Sequence, residues 1–96
     1  MPISKNWSKA TTNHIQSNAP NKKGIYELRS FGETVYIGSS KDLKNRLLTH
    51  LNERNPNYYR YQTVGFLTSP QKKERKHYDQ HVEKTGSSPR WNDRRP

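Results

Sequence analysis

Gly24-Ile25-Tyr26-Glu27-Leu28-Arg29 and Thr34-Val35-Tyr36-Ile37-Gly38, joined by Ser30-Phe31-Gly32-Glu33, form the stretch whose reading decides the fold. β-branched and aromatic residues crowd both flanks, and the four residues between them are turn-forming. A β-hairpin is predicted, with one tyrosine on each strand.

Outward from the hairpin, Ser39-Ser40-Lys41-Asp42 opens a helix. Ser39 and Asp42 have capping-box spacing, and Asp42 suits the positive end of the helix dipole. Leu43, Leu47, Leu48 and Leu51 then fall on one side at about 100° per residue, until Asn55-Pro56-Asn57 breaks the helix. Tyr58 to Leu67 has strand composition and fits a third antiparallel strand. Ser69-Pro70 reads as an N-cap with proline in the first turn, launching a second helix over 70–84 that ends at Thr85-Gly86-Ser87-Ser88. Residues 1–20 read as a polar N-terminal arm, flexible or loosely docked, with Trp7 and Ile15 as isolated apolar anchors, and 21–96 as one domain. The expected class is α/β (α+β), a small three-stranded antiparallel sheet flanked by helices.

Composition bounds the function independently. The chain has 96 residues of which 27% are hydrophobic, so it can bury only a small core. Eighteen Lys and Arg against eight Asp and Glu give a formal charge of +10, which suits a polyanionic partner, nucleic acid first. No apolar run reaches the roughly 18 residues that a membrane span requires. With no cysteine, neither a disulfide framework nor a thiolate zinc site can staple the fold. No signal peptide is evident, and the default expectation is an intracellular protein, cytoplasmic or nucleoid-associated.

Several polar residues stand out by position. Arg46 and His50 are four apart, so they share one helix face at the margin of the leucine stripe. Taken alone they read as a solvated cation and a partly buried polar filler. Glu74 shares an i, i+4, i+8 stripe with Tyr78 and Val82, which points it inward, unlike Lys72, Lys73, Arg75 and Lys76. A buried carboxylate needs a cation, either Arg46 or a divalent metal. Mg²⁺ commonly takes only one or two protein carboxylates. His77 and His81 have the spacing of a zinc pair, but the helix lacks the glutamate of a zincin motif, and solvated histidines are the preferred reading.

The tripeptides Gly24-Ile25-Tyr26 and Tyr36-Ile37-Gly38, an Arg46-x3-His50 helix, an acidic residue in a second helix and a closing Pro89-Arg90-Trp91-Asn92 together resemble the GIY-YIG nuclease family over about 23–92. The resemblance implies the GIY-YIG endonuclease fold and a metal-dependent endonuclease that hydrolyses phosphodiester bonds in DNA, structure-guided or of low sequence specificity, in repair or recombination. RNA is the other nucleic acid to consider, and a partner protein or homodimer is compatible with the family. By resemblance Arg46 is the clamp on the scissile phosphate. Tyr26 is the favoured general base, its phenol brought down by nearby cations, Tyr36 positions water or phosphate, and His50 is the rival base. Glu74 is the ligand for Mg²⁺ (or Mn²⁺), with Glu83 the alternative on spacing, and Gly38 and Asn92 order the site. Some members carry a lysine directly after the second tripeptide, where this chain has Ser39. Phosphate affinity is assigned to Lys22, Lys23, Lys41, Lys44, Arg60, Lys72, Lys73 and Lys76, with strong salt dependence. The competing reading is a non-catalytic nucleic-acid-binding module of the same fold.

Overall fold

The structure, a computed structural model, describes residues 6–65 and 69–92. In chain order these form β1 (Ser8–Lys9), α1 (Thr12–Asn18), β2 (Gly24–Ser30), β3 (Glu33–Ser40), α2 (Leu43–Arg54), β4 (Tyr58–Thr63) and α3 (Pro70–Thr85). Phe66 and Leu67, expected in the third strand, and residues 93–96 of the basic tail lie outside the described residues.

The hairpin forms as expected. Its two-residue loop places Phe31 at φ 53° and Gly32 at φ 79°, the left-handed pair whose twist matches that of the flanking strands. Ser30 then faces Glu33, Leu28 faces Tyr36 and Tyr26 faces Gly38. The strand beginning at Tyr58 pairs antiparallel with the other side of β2, so β2 is central. The sheet has four strands, not three, in the order β1-β4-β2-β3. The extra strand comes from the segment read as a polar arm, where Ser8 and Lys9 pair with Tyr59 and Tyr58.

Residues 8–19 therefore differ from a loosely docked arm. Thr11 caps α1 by accepting from the His14 amide. One turn of the helix puts Ile15 and Ala19 into the core, with Leu28 and Tyr59 of the sheet and Leu43 and Leu47 of α2. His14 Nδ1 lies 2.6 Å from the Tyr59 hydroxyl, a further tie from α1 to the sheet.

Helix α2 is capped by Asp42, whose carboxylate accepts from the Asn45 amide, whereas Ser39 belongs to β3. That corrects the capping-box reading: the strand runs to Ser40, so Ser39 is spent in the sheet. The amides of Leu43 and Lys44 donate to the carbonyls of Lys22 and Pro20, joining the α1–β2 loop to the start of α2. Asn55 ends the helix in the left-handed conformation. Helix α3 begins at Pro70 after Ser69, stops at the left-handed Gly86 and packs on β3 and β2. No helix among the described residues is long and apolar enough to cross a membrane.

The packing of α1 has a direct test. Ile15→Ala should lower the unfolding free energy by about 2–5 kcal/mol in a urea titration, the cost of a cavity in a closed core, whereas truncation on an undocked arm would leave the midpoint unchanged.

Candidate active site

Side chains alternate across a strand, so Tyr26 on β2 and Tyr36 on β3 share the face that carries α2. Their rings stack at 5.9 Å between centroids with an interplanar angle of 27°. Directly opposite Tyr26 is Gly38. A Cβ at that position would sit 2.5 Å from the Tyr26 hydroxyl and 2.7 Å from Tyr36 Cε2. The glycine is thus the space into which Tyr26 lies. Its hydroxyl meets His50 Nε2 at 2.8 Å and also engages the Tyr36 hydroxyl, while the His50 and Tyr36 rings are 4.8 Å apart. The three residues form one hydrogen-bonded and stacked cluster.

Burial sets the proton affinities here. Tyr26 is 1% exposed, and desolvation, then the adjacent Tyr36, push its phenol up, with Arg46 pulling the other way. The expectation that cations lower Tyr26 is therefore corrected, because burial outweighs the arginine. His50 is lowered to about 4 by burial, then by Arg54 and Arg46, so it is neutral near pH 7. Its Nδ1 is buried without a partner among the described residues.

Arg46, one turn before His50, is exposed and lines a cleft of about 530 Å³ with Ser39, Lys41, Asn45, Thr49 and, from α3, Gln71. On α3, Glu74 accepts a short hydrogen bond from Ser39 Oγ. Burial raises the Glu74 carboxyl, against the opposing effects of the Ser39 bond and Arg75. Among the described residues Glu74 forms no ion pair. A half-buried carboxylate without a cationic partner, beside a cleft, suits one divalent ion that draws its other ligands from water and phosphate. Glu83 is exposed and lines a different depression, with Lys72, Arg75, Lys76 and Asp79. His77 and His81 gain no third ligand: no group of three or more His, Cys, Asp or Glu is gathered among the described residues.

Asn92 orders the site from the sheet edge. Its Oδ1 accepts from the Ile37 amide at 3.0 Å and its Nδ2 donates to the Ile37 carbonyl at 3.1 Å. The side-chain amide thus pairs with β3 as a neighbouring strand would, and the Trp91 amide donates to Val35 O alongside it. Two participants went unread in the sequence. Ser39 was noted as half of a capping box and as a replacement for lysine, yet it holds Glu74. Arg54 stacks its guanidinium 5.7 Å from the Tyr36 ring and 5.8 Å from the Trp91 ring, and donates to the Trp91 carbonyl. Its position four residues after His50 on the same helix face was the available signal.

The basic residues divide. Lys41 borders the cleft, Lys22 is exposed, and Lys23 and Lys44 are partly buried nearby in the α1–β2 loop and the first turn of α2. Lys72 and Lys76 lie on the outer face of α3, and Lys73 is partly buried there. Arg60 is placed otherwise than expected. Glu27 is its cross-strand neighbour, and the two form an ion pair at 2.5 Å with side chains 18% and 6% exposed, which ties Arg60 into the sheet.

A central hairpin bearing two tyrosines, a following helix with arginine and histidine, and a second helix delivering a glutamate define the GIY-YIG endonuclease domain fold. Solved structures agree. The chain is similar to the GIY-YIG N-terminal endonuclease domain of UvrC from Thermotoga maritima in a tyrosine-to-phenylalanine mutant bound to the catalytic divalent cation, with TM-score 0.59 and 22% identity over 84% of this chain and 97% of that one. The magnesium-bound form of that domain gives TM-score 0.55 and 22% identity over 82% and 96%. Among curated proteins, UvrABC system protein C of Aquifex aeolicus (strain VF5) is 50% identical over 38 residues, 40% of this chain. Its counterpart in Petrotoga mobilis is 40% identical over 42 residues, 43% of this chain. Each match spans 7% of the relative's length. The chain belongs to the family described as a domain of unknown function (DUF7508), whose model matches residues 1–84.

Two measurements check this geometry. Gly38→Ala should displace Tyr26 from His50 and cost stability on the scale of overpacking, about 1–3 kcal/mol by urea titration. Burial holds His50, and likewise His77, at about 4 in the folded protein, below the ordinary value near 6.5 of an unfolded chain. The unfolded state therefore binds more protons between these values, and the two histidines favour folding above pH 6.5 and progressively less toward pH 4. Denaturation midpoints should fall from pH 7 to pH 5, and the fall should shrink in His50→Phe and His77→Phe; an unchanged fall in both would refute buried neutral histidines.

Proposed function

We propose that the protein is a divalent-metal-dependent endonuclease that hydrolyses phosphodiester bonds in DNA. The observation carrying this reading is that Arg46 and the Ser39-held Glu74 border the same region as the closed Tyr36–Tyr26–His50 cluster, with a cleft open beside them. The +10 charge favours a polyanion in that cleft, and the UvrC domain structures of the same fold carry a catalytic divalent cation.

Arg46 supplies a guanidinium that follows the charge developing on the phosphoryl oxygens in the transition state. Glu74 holds a Mg²⁺ (or Mn²⁺), which would neutralise phosphate charge and assist the leaving 3′-oxygen. Tyr26 is enclosed, so the partly exposed Tyr36 is the phenol better placed to meet water. In this scheme a water proton passes to Tyr36, the Tyr36 proton to Tyr26 and the Tyr26 proton to His50 Nε2, which is neutral and already in hydrogen-bond contact. The hydroxide so formed attacks phosphorus as the P–O3′ bond breaks. Lys41 and Lys44 hold neighbouring phosphates, and Asn92 keeps β3 in register. The cleft is short and polar, which favours recognition of backbone and shape over base sequence. A role in DNA repair follows the likeness to a UvrC domain.

Plasmid nicking tests the reading. Wild-type protein should nick supercoiled DNA with Mg²⁺ and lose activity in EDTA. Arg46→Ala and Glu74→Ala should each lower the rate by about 10²-fold or more, with binding in EDTA kept within a few fold. Wild-type protein that binds DNA and never cuts it across metals and substrates would establish the non-catalytic binding module instead. Tyr36→Phe and Tyr26→Phe should both slow cutting; full activity in either would break the proton path.

A further inference from the structure

A second concavity, of about 450 Å³, lies on the opposite face of the sheet, between α3 and the end of the β2–β3 hairpin. Its walls include His77 and Gln80 of α3, Thr34 and Gly32 of the hairpin, and the Glu27–Arg60 pair. His77 is 4% exposed, and both its Nδ1 and Gln80 Oε1 are buried with no hydrogen-bond partner among the described residues. An unsatisfied buried polar atom costs about 1–3 kcal/mol, so two of them just behind the wall of one concavity, on side chains that border it, mark a place where a partner belongs.

The chemistry of the lining narrows that partner. Glu27 and Arg60 neutralise each other, and His77 is held neutral by burial and by nearby cations, which leaves Lys84 as the cation at the rim, suited to a phosphate beside the groove rather than to an anion within it. No third ligand joins His77 and His81 for a metal. The inner wall offers a pair of neutral hydrogen-bonding atoms on adjacent turns of one helix, near enough to engage a single polar heterocycle.

The hairpin turn adds an aromatic surface. Phe31 is 89% exposed and holds φ 53°, a conformation that costs a non-glycine residue about 1–2 kcal/mol. The ring buries nothing in return. The turn is nonetheless braced: the Phe31 amide donates to Asn57 Oδ1, and the Asn57 amide to Arg29 O. The two-residue loop accounts for the left-handed backbone, so what calls for a partner is the exposed ring at a position where a small polar residue would be less costly.

We propose that this groove receives an unpaired nucleobase of the bound nucleic acid, with His77 and Gln80 contacting its edge and Phe31 stacking on a neighbouring base. The proposal rests on the nuclease reading and specifies its substrate. His77 and Gln80 follow Glu74 by three and six residues on α3, about 4.5 and 9 Å along the axis. The base would sit about one to three nucleotide spacings from the scissile phosphate. The preferred substrate is then DNA with an extrahelical or single-stranded base beside the cut.

Titration in EDTA separates binding from cutting. A duplex carrying one unpaired 2-aminopurine should bind wild-type protein about tenfold more tightly than its fully paired counterpart, the size of one base–aromatic stack, with a change in 2-aminopurine fluorescence. Gln80→Leu and Phe31→Asn should each abolish the preference and leave affinity for the paired duplex within twofold. Phe31→Asn also keeps the test clear of misfolding, because asparagine tolerates the left-handed conformation and should raise the thermal midpoint. Equal affinity for the two duplexes, or a preference that survives both substitutions, overturns the groove assignment and leaves the nuclease reading standing. Failure to bind either duplex overturns both.

Discussion

Between Tyr26 and His50 lies a hydrogen bond that exists only because nothing projects from the α-carbon of Gly38. Everything in the cluster follows from that space. Tyr26 can lie flat across the opposite strand, its hydroxyl can reach α2, and α2 is thereby set at the distance that brings Arg46 to the cleft. The same close approach excludes water from the phenol and the imidazole, which drives one toward the protonated neutral form and the other toward the unprotonated neutral form. A pair of neutral groups already sharing a proton costs little to bury, and its burial adds to the core of a chain in which only 27% of residues are hydrophobic.

Much of this was legible in the chain and some was not, for reasons that differ by element. The β2–β3 hairpin, α2 and α3 announce themselves through punctuation: a turn containing Phe31-Gly32, an acidic cap at Asp42, the break at Asn55-Pro56, and proline after Ser69. Strand β1 has two residues and α1 seven, too few to show a period, and their stability comes from tertiary contacts of Ile15 and Ala19 rather than from local propensity. The four-stranded sheet could not be read before those contacts were known. Arg60 was misread because an ion pair with Glu27 depends on β4 crossing to the far side of β2, which strand composition does not reveal.

Within the site the pattern repeats. Arg46, His50, Tyr26 and Tyr36 lie on β2, β3 and α2 and were singled out by the resemblance of these elements to the GIY-YIG pattern. Glu74 was distinguishable from Glu83 through the inward stripe it shares with Tyr78 and Val82. Which tyrosine lies inside was not, because packing decides it: both are strand tyrosines by composition, and only the closed packing over Gly38 makes Tyr26 the interior member. Ser39 and Arg54 act on groups remote in sequence, on Glu74 and on Tyr36 and Trp91, and only Arg54, by its spacing from His50, carried any local signal.

Asn92 occupies the open edge of β3 with a single side-chain amide, bonded to a residue 55 positions earlier. During synthesis the hairpin and α2 leave the ribosome well before that asparagine exists. Until it arrives, the strand bearing Tyr36 and Gly38 has an unpaired outer rim that is free to shift or to pair with another chain. The clamp therefore times assembly: the Tyr36-bearing strand is completed only after α2, β4 and α3, which lie between Ile37 and Asn92, have been made.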